Sequence, residues 1–127
     1  MILRTGVDIL EIERVKEITQ RHGDHFLNRV FSKQEINDSN SKPESLAARF
    51  AAKEAVAKAL GSGIGKVGWL DIEILSGENR QPYLILHNHA LFLSKQQNLT
   101  EWSISLSHNL HYAIAIAVAI GENKPLP

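Results

Sequence analysis

The clearest pattern of hydrophobic and polar positions lies in the last third of the chain. Large hydrophobic residues alternate with serines over residues 102–107, and after a short turn they alternate with alanines over residues 112–119. A period of two is typical of half-buried β-strands, so these segments predict an antiparallel hairpin. Residues 71–75 and 83–87 flank the turn sequence SGENRQ and predict a second hairpin. Residues 2–10 predict one further strand.

Helical spacing is present in two short segments near the start of the chain. Apolar residues recur every three positions over residues 12–18, and Gly23 follows, which predicts an amphipathic helix that ends there. Ser32 and Glu35 have the spacing of a capping box, which predicts a second short helix that begins at Ser32. The polar residues 37–42 predict a loop after it.

The longest predicted helix contains the sequence RFAAKEAVAKALG at residues 49–61. The capping-box spacing of Ser41 and Glu44, with Pro43 in the first turn, predicts its start, and Gly61 predicts its end. At about 100° per residue, apolar side chains lie on nearly all of its surface. We therefore expect this helix to be buried.

Four charged residues interrupt the apolar surface of this helix. Arg49 with Lys53, and Glu54 with Lys58, are i,i+4 neighbours. Charges in a buried helix are paired, bound to a metal or directed at a charged ligand. For Lys58 the simple alternative is an ion pair with Glu54, and the functional alternative is a cation that faces phosphate.

These elements predict the α+β class, with an antiparallel hairpin-based sheet packed with the long alanine-rich helix. A length of 127 residues and a hydrophobic content of 43% suit one domain over residues 1–127, with 121–127 as a frayed tail. The 14 basic and 14 acidic residues cancel, which argues against nucleic-acid and membrane partners. Without cysteine, disulfides and thiolate metal sites are excluded. We expect a soluble, cytoplasmic protein.

Two carboxylates are candidate ligands for a hard cation. Asp8 lies between apolar residues of the first predicted strand, and Glu54 lies on the buried helix. Magnesium typically takes one or two carboxylates and leaves its other positions to water and phosphate oxygens. Spacing alone leaves structural ion pairs open as the alternative.

The first predicted helices form a local basic region in an otherwise neutral chain. Residues 14–33 contain five Lys or Arg and two acidic residues. This region suits an acidic protein surface, although a solvated helix face is the usual explanation. Aromatic residues do not alternate with the basic ones, which argues against single-stranded nucleic acid.

Five sequence segments, in order along nearly the whole chain, resemble one family. They are similar to the short, trimeric type of 4′-phosphopantetheinyl transferase, the holo-[acyl-carrier-protein] synthases. The segments are GVDILEIERV at Gly6, FLNRVFSKQEI at Phe26, RFAAKEAVAKALG at Arg49, GIGKVGWLDIEI at Gly63 and SISLSH at Ser103.

The resemblance implies a magnesium-dependent enzyme that moves the 4′-phosphopantetheine group of coenzyme A onto a serine of apo-acyl carrier protein. Adenosine 3′,5′-bisphosphate is the other product, and the reaction supports fatty acid biosynthesis. The resemblance also implies a homotrimer with active sites between subunits.

Matching the segments residue by residue assigns roles to five positions. Asp8 and Glu54 fall on metal-ligand positions, and Lys58 falls on a lysine that faces the phosphates, so Glu54 and Lys58 are the expected catalytic residues. Arg49 and His108 fall, with Lys58, on positions that bind coenzyme A. The proton acceptor for the incoming serine is either Glu54 or a water molecule at the metal.

The resemblance also places a carrier-binding surface on the basic region. Arg14, Arg21 and Arg29 are expected to meet an acidic helix of the carrier, with Phe26 as an apolar contact. Two alternatives stay open. One is a magnesium-dependent phosphodiester or pyrophosphate hydrolase, in which water attacks; the other is a non-catalytic trimeric adaptor for an acidic protein.

Overall fold

The computed structural model describes residues 1–123 of the chain. These residues form five strands and five α-helices, with short 3₁₀ turns at Trp69–Asp71 and Glu78–Arg80. In chain order the elements are β1 Ile2–Glu11, α1 Ile12–His22, α2 Asp24–Val30, α3 Lys33–Ser39, α4 Pro43–Ala59, β2 Ile72–Ser76, β3 Pro82–Leu86, α5 Asn88–Gln96, β4 Leu99–His108 and β5 Tyr112–Gly121.

The strands form two antiparallel sheets, which confirms the predicted α+β class. One sheet has three strands in the order β1-β5-β4, and the other is the β2-β3 hairpin. Both predicted hairpins are present, and β1 pairs with β5 along its whole length, from Ile2 opposite Gly121 to Glu11 opposite Tyr112. The strand at the start of the chain therefore joins the hairpin at its end.

Helix α4 packs across β1 and β5, and small residues line the contact. A Cβ atom built on Gly6 would lie 1.9 Å from the carbonyl oxygen of Ala55, so no larger residue fits at this crossing. The alanines of β5 at positions 113, 115, 117 and 119 are buried on the same side of the sheet, and their isoleucine neighbours face outward. The buried helix predicted from the sequence is confirmed.

The helix boundaries confirm some capping predictions and correct others. The capping box at Ser32 is present: the Ser32 hydroxyl accepts a hydrogen bond from the Glu35 amide at 3.1 Å, and the Glu35 carboxylate accepts one from the Ser32 amide at 2.9 Å. The capping box predicted at Ser41 is wrong, since Ser41 has a left-handed φ of 55° and Lys42 is the N-cap of α4. Helix α3 also extends into the predicted loop, as far as Ser39.

Two further observations concern helix α2 and the end of the chain. Helix α2 was not predicted, because seven residues give too few turns for a periodic pattern. Gly121, which the sequence assigns to a frayed tail, is the buried last residue of β5. The remainder of that predicted tail beyond residue 123 lies outside the described residues. None of the described helices is long and apolar enough to cross a membrane.

A buried ion pair ties α4 to α3 and β2. The ammonium of Lys53 donates to the Glu35 carboxylate at 2.9 Å and to the carbonyl oxygens of Trp69 at 2.9 Å and Ile72 at 2.5 Å. Both charged side chains have no exposed surface. The other Glu35 oxygen accepts from the Ile74 amide at 2.9 Å. Every donor of Lys53 is thus used inside the fold, which gives this residue a structural role.

Replacement of Lys53 by alanine should destabilise the protein strongly. It leaves the Glu35 carboxylate buried without its counter-ion, which typically costs about 3–5 kcal/mol. Urea unfolding measures the loss. Lys16→Ala is the control, because Lys16 and Glu13 form an exposed pair at 3.9 Å that is worth about 0–1 kcal/mol. Similar losses in the two variants would contradict the structural role of Lys53.

Candidate active site

Asp8, Glu54 and Lys58 come together where β1 passes along α4. Since residues two apart in a strand face the same side, Asp8 faces the helix as Gly6 does. The Lys58 ammonium donates to the Val7 carbonyl oxygen at 2.9 Å and contacts an Asp8 carboxylate oxygen at 3.3 Å. Lys58 therefore pairs with Asp8 across the β1–α4 contact, and not with its helix neighbour Glu54.

The two carboxylates line one cleft. Asp8 and Glu54 border a cavity of about 370 Å³ together with Arg14 of α1, Phe26 of α2 and Phe50 of α4. Apolar residues of β1 and α1 complete its wall. The cleft therefore combines acidic groups from β1 and α4 with a basic residue from α1 and aromatic residues from α2 and α4.

The electrostatics of the cleft suit a cation. Burial raises the pKa of Glu54, the negative charge of Asp8 raises it further, and Lys58 opposes these effects only partly. A divalent cation between the two carboxylates would relieve this repulsion. Within residues 1–123 no group of three or more His, Cys, Asp or Glu side chains could hold a metal. Asp8 and Glu54 could hold magnesium, because this ion takes one or two carboxylates and fills its other positions with water and phosphate oxygens.

Arg49 lies on the other flank of α4, about 140° around the helix from Glu54. Its guanidinium donates to the Ile74 carbonyl oxygen at 3.1 Å and to the hydroxyls of Ser45 at 2.5 Å and Ser76 at 2.8 Å. Burial lowers the pKa of Arg49, although the charges of Asp38 and Glu35 oppose this. The side chain borders a separate cavity of about 470 Å³.

The remaining predicted site residues are distributed around the molecule. His108 is exposed at the end of β4 and borders a third cavity, of about 510 Å³, with Lys16 and Glu44. Arg21 and Arg29 are exposed but do not border the cleft of Asp8 and Glu54. Within one chain, the structure therefore unites Asp8, Glu54, Lys58, Arg14 and Phe26, and separates them from Arg49 and His108.

Sequence reasoning missed the residues that support Arg49. Ser45 precedes Arg49 by four positions, a spacing that predicts contact on a helix, so this partner had a local signal. Ser76 and Ile74 lie on a distant strand. The carbonyl group of Ile74 has no sequence signature, since every residue has one.

The fold agrees with the comparisons with known proteins. The sequence profile of the 4′-phosphopantetheinyl transferase superfamily matches residues 4–117. The chain belongs to this superfamily.

Its relatives within the superfamily include holo-[acyl-carrier-protein] synthases. The chain is 47% identical to that of Chlorobaculum parvum, with 91% of this chain and 97% of the relative covered. It is 44% identical to the synthase of Carboxydothermus hydrogenoformans, with 90% of this chain and 94% of the relative covered. The crystal structure of the Helicobacter pylori holo-[acyl-carrier-protein] synthase with coenzyme A has a TM-score of 0.84 and 35% identity, and covers 91% of this chain and 99% of that one. The family membership predicted from the five sequence segments is confirmed.

Glu54→Gln should stabilise the metal-free protein at neutral pH. Because the pKa of Glu54 is raised on folding, its ionised form disfavours the native state above that pKa, and the variant removes this penalty. The gain should disappear below about pH 4, where the carboxyl is protonated in both states. Thermal unfolding across this pH range measures the effect.

The same measurement tests the metal site. Magnesium should raise the unfolding temperature of the parent protein and leave that of Glu54→Gln nearly unchanged. Glu17→Gln, at an exposed position on α1, is the control and should retain the magnesium response. If magnesium raised the unfolding temperatures of Glu54→Gln and Glu17→Gln equally, Glu54 would not be a magnesium ligand.

Proposed function

We propose that this protein transfers the 4′-phosphopantetheine group of coenzyme A to a serine of apo-acyl carrier protein. The products are the holo-carrier and adenosine 3′,5′-bisphosphate, and the reaction serves fatty acid biosynthesis in the cytoplasm. The observation that carries the proposal is the cleft that joins Asp8 and Glu54, with Lys58 bound to the first of them. Membership of the superfamily and the coenzyme A complex of the Helicobacter pylori relative support it.

Asp8 and Glu54 would hold magnesium in this cleft. When bound, the metal supplies charge neutralisation at the phosphorus under attack and at the leaving bisphosphate. Lys58 uses two of its three N–H donors on Val7 and Asp8, which leaves one for a phosphate oxygen. A fixed positive charge at this position stabilises charge that develops in the transition state.

Glu54 is the proposed proton acceptor for the carrier serine. The attacking hydroxyl belongs to the partner, so the enzyme has to supply a base and no nucleophile of its own. Glu54 borders the same cleft as Arg14 and Phe26, so a carrier serine that enters over these residues would reach its carboxylate.

The carrier would approach over α1 and α2. Arg14 and Phe26 border the same cleft as the two carboxylates, so a partner bound there reaches the reaction centre. Arg21 and Arg29 extend the basic surface beyond the cleft. Basic surfaces speed the encounter with acidic partners.

The outer face of the three-stranded sheet supports a homotrimer. Six outward-facing residues on β1 and β5 are large, apolar and at least one-third exposed, and all six belong to the paired part of the sheet. A cluster of exposed apolar residues of this kind marks an interaction surface. Its members are Leu3, Val7, Ile9, Ile114, Ile116 and Ile120.

Assembly would also explain why Arg49 and His108 lie away from the cleft. The cavity that Arg49 borders and the cleft of Asp8 and Glu54 share no lining residue. In the proposed trimer, a neighbouring chain would bring Arg49 or His108 to the coenzyme A held at the cleft of Asp8 and Glu54.

A single incubation tests the proposed activity. The protein is mixed with apo-acyl carrier protein, coenzyme A and magnesium, and the intact carrier is weighed by mass spectrometry. We expect the carrier to gain one phosphopantetheine group. A hydrolase would consume coenzyme A and leave the carrier unchanged, and an adaptor would change neither, so both results contradict the proposal.

Asp8→Ala in the same assay should abolish the modification while the circular dichroism spectrum is retained. Glu11→Ala is the matched control, because Glu11 is an exposed carboxylate on the same strand and does not border the cleft of Asp8 and Glu54. Full activity of Asp8→Ala would reject the proposed metal centre.

The proposed trimer is tested by Ile116→Glu. A charge on the central strand of the apolar face should dissociate the assembly in sedimentation velocity and lower carrier modification at least tenfold, because burial of an unpaired charge is costly. Phe92→Glu, at an exposed apolar position on α5, should leave both unchanged. If the parent protein were monomeric and fully active, assembly would not be required for carrier modification.

A further inference from the structure

We propose that Asp38 on α3 is a positioning residue for coenzyme A binding. Asp38 accepts a hydrogen bond from strand β2, and β2 in turn accepts two hydrogen bonds from Arg49. This inference rests on the proposed function, in which Arg49 contacts coenzyme A. Neither the sequence patterns nor the family resemblance assigned a role to Asp38.

The guanidinium of Arg49 takes its orientation from β2. Of its three hydrogen bonds, one goes to the Ile74 carbonyl oxygen and one to the Ser76 hydroxyl; the third goes to Ser45 of its own helix. A guanidinium has five N–H donors in a rigid planar fork. Two of them stay without a partner in the part of the chain that the structure describes, and the side chain borders a cavity of about 470 Å³. An anion in this cavity would meet donors whose direction is already fixed.

Strand β2 has a strand neighbour on one side only, because β2 and β3 form a two-stranded sheet. On the other side, α3 supplies acceptors for two of its amides. The Ile74 amide donates to Glu35 at 2.9 Å, and the Ser76 amide donates to Asp38 at 2.9 Å. These are the two residues of β2 that bind Arg49. The carboxylates of α3 therefore fix the strand segment that fixes the guanidinium.

The two carboxylates differ in what else they do. Glu35 is fully buried and paired with Lys53, so its removal would damage the fold itself. Asp38 is only half-buried and borders the Arg49 cavity. Its second oxygen accepts from the exposed Gln34 side chain at 2.6 Å. Asp38 can therefore be changed without opening the core, and its loss would free the Ser76 amide beside the Arg49 guanidinium.

The consequence is specific to binding. The reaction centre of the proposed function lies at Asp8 and Glu54, in a cleft that shares no lining residue with the Arg49 cavity. A guanidinium that is less well oriented loses affinity for phosphate while the groups at the reaction centre stay in place. Loss of Asp38 should therefore raise the KM for coenzyme A and leave kcat nearly unchanged.

The test uses the full-length protein in two assays, calorimetric binding of coenzyme A and carrier modification. For Asp38→Ala we expect affinity for coenzyme A to fall and KM to rise roughly five- to tenfold, the effect of about one lost hydrogen bond, with kcat within about twofold. Asp38→Asn keeps an oxygen acceptor for the Ser76 amide and should restore affinity to within about twofold. Asn37→Ala, at an exposed position on the same helix, is the control and should behave as the parent protein.

A double-mutant cycle decides whether Asp38 acts through Arg49. Arg49→Lys keeps the positive charge and removes the planar fork. If Asp38 only orients that fork, Asp38→Ala in the Arg49→Lys background should add less than about twofold to the loss of affinity. Independent, additive losses would overturn the inference, as would a fall in kcat with unchanged KM. Equal loss in Asp38→Ala and Asp38→Asn would also overturn it, because the retained acceptor would then be irrelevant.

The binding assay separates this inference from the proposed function. A protein that binds coenzyme A but does not modify the carrier would reject the proposed function and still allow the cycle to be measured. A protein that modifies the carrier, with additive losses in the cycle, would reject only the role of Asp38. If coenzyme A does not bind at all, both are rejected.

Discussion

The close contact between helix α4 and strand β1 is the constraint on which the rest of the structure depends. It exists because Gly6 has no side chain where the Ala55 carbonyl passes. In addition, the buried alanines of β5 have small side chains that let the helix pack close to the sheet. The contact brings Asp8 opposite α4, within reach of Lys58. A larger residue at position 6 would lift the helix and separate the groups that form the cleft. Small residues in the core therefore set the geometry of charged residues at its edge.

The charged residues of α4 divide according to how completely the fold satisfies them. Lys53 donates all three of its N–H groups to buried protein groups, so it has no donor free to bind a ligand. Among the described residues, Arg49 retains two unused donors beside its cavity and Lys58 retains one beside Asp8. Glu54 has a raised pKa beside Asp8. A charge that the protein satisfies fully stabilises the fold, whereas one with an unused donor or acceptor is available to bind a ligand. This distinction separates Lys53 from its neighbours, although all four lie on one helix.

The sequence predicted what depends on local chemistry. Alternation identified the strands, Ser32 and Gly61 identified helix ends, and the alanine-rich pattern identified the buried helix. The partner of Lys53 could not be predicted from the sequence, because Glu35 lies 18 residues away in the chain. The capping box of Glu35 gave no sign that it makes a second contact. The supports of Arg49 include a backbone carbonyl, which no pattern marks. Asp8 and Glu54 were candidate cation ligands by residue type, but structural ion pairs stayed open as the alternative, because spacing alone does not reveal the packing at Gly6.

The division of α4 into two flanks also bears on how the proposed enzyme would work. Glu54 faces the cleft toward β1 and α1, and Arg49 faces the cavity toward β2 and α3. A helix packed against a sheet cannot turn both flanks to the same side, so in the proposed assembly one chain would offer two half-sites rather than one complete site. The apolar outer face of the sheet lies on β1 and β5, and Ile9 of this face also borders the cleft. Packing of that face against a neighbour would place a second chain near the cleft, so the contacts that stabilise the proposed assembly would also complete the site.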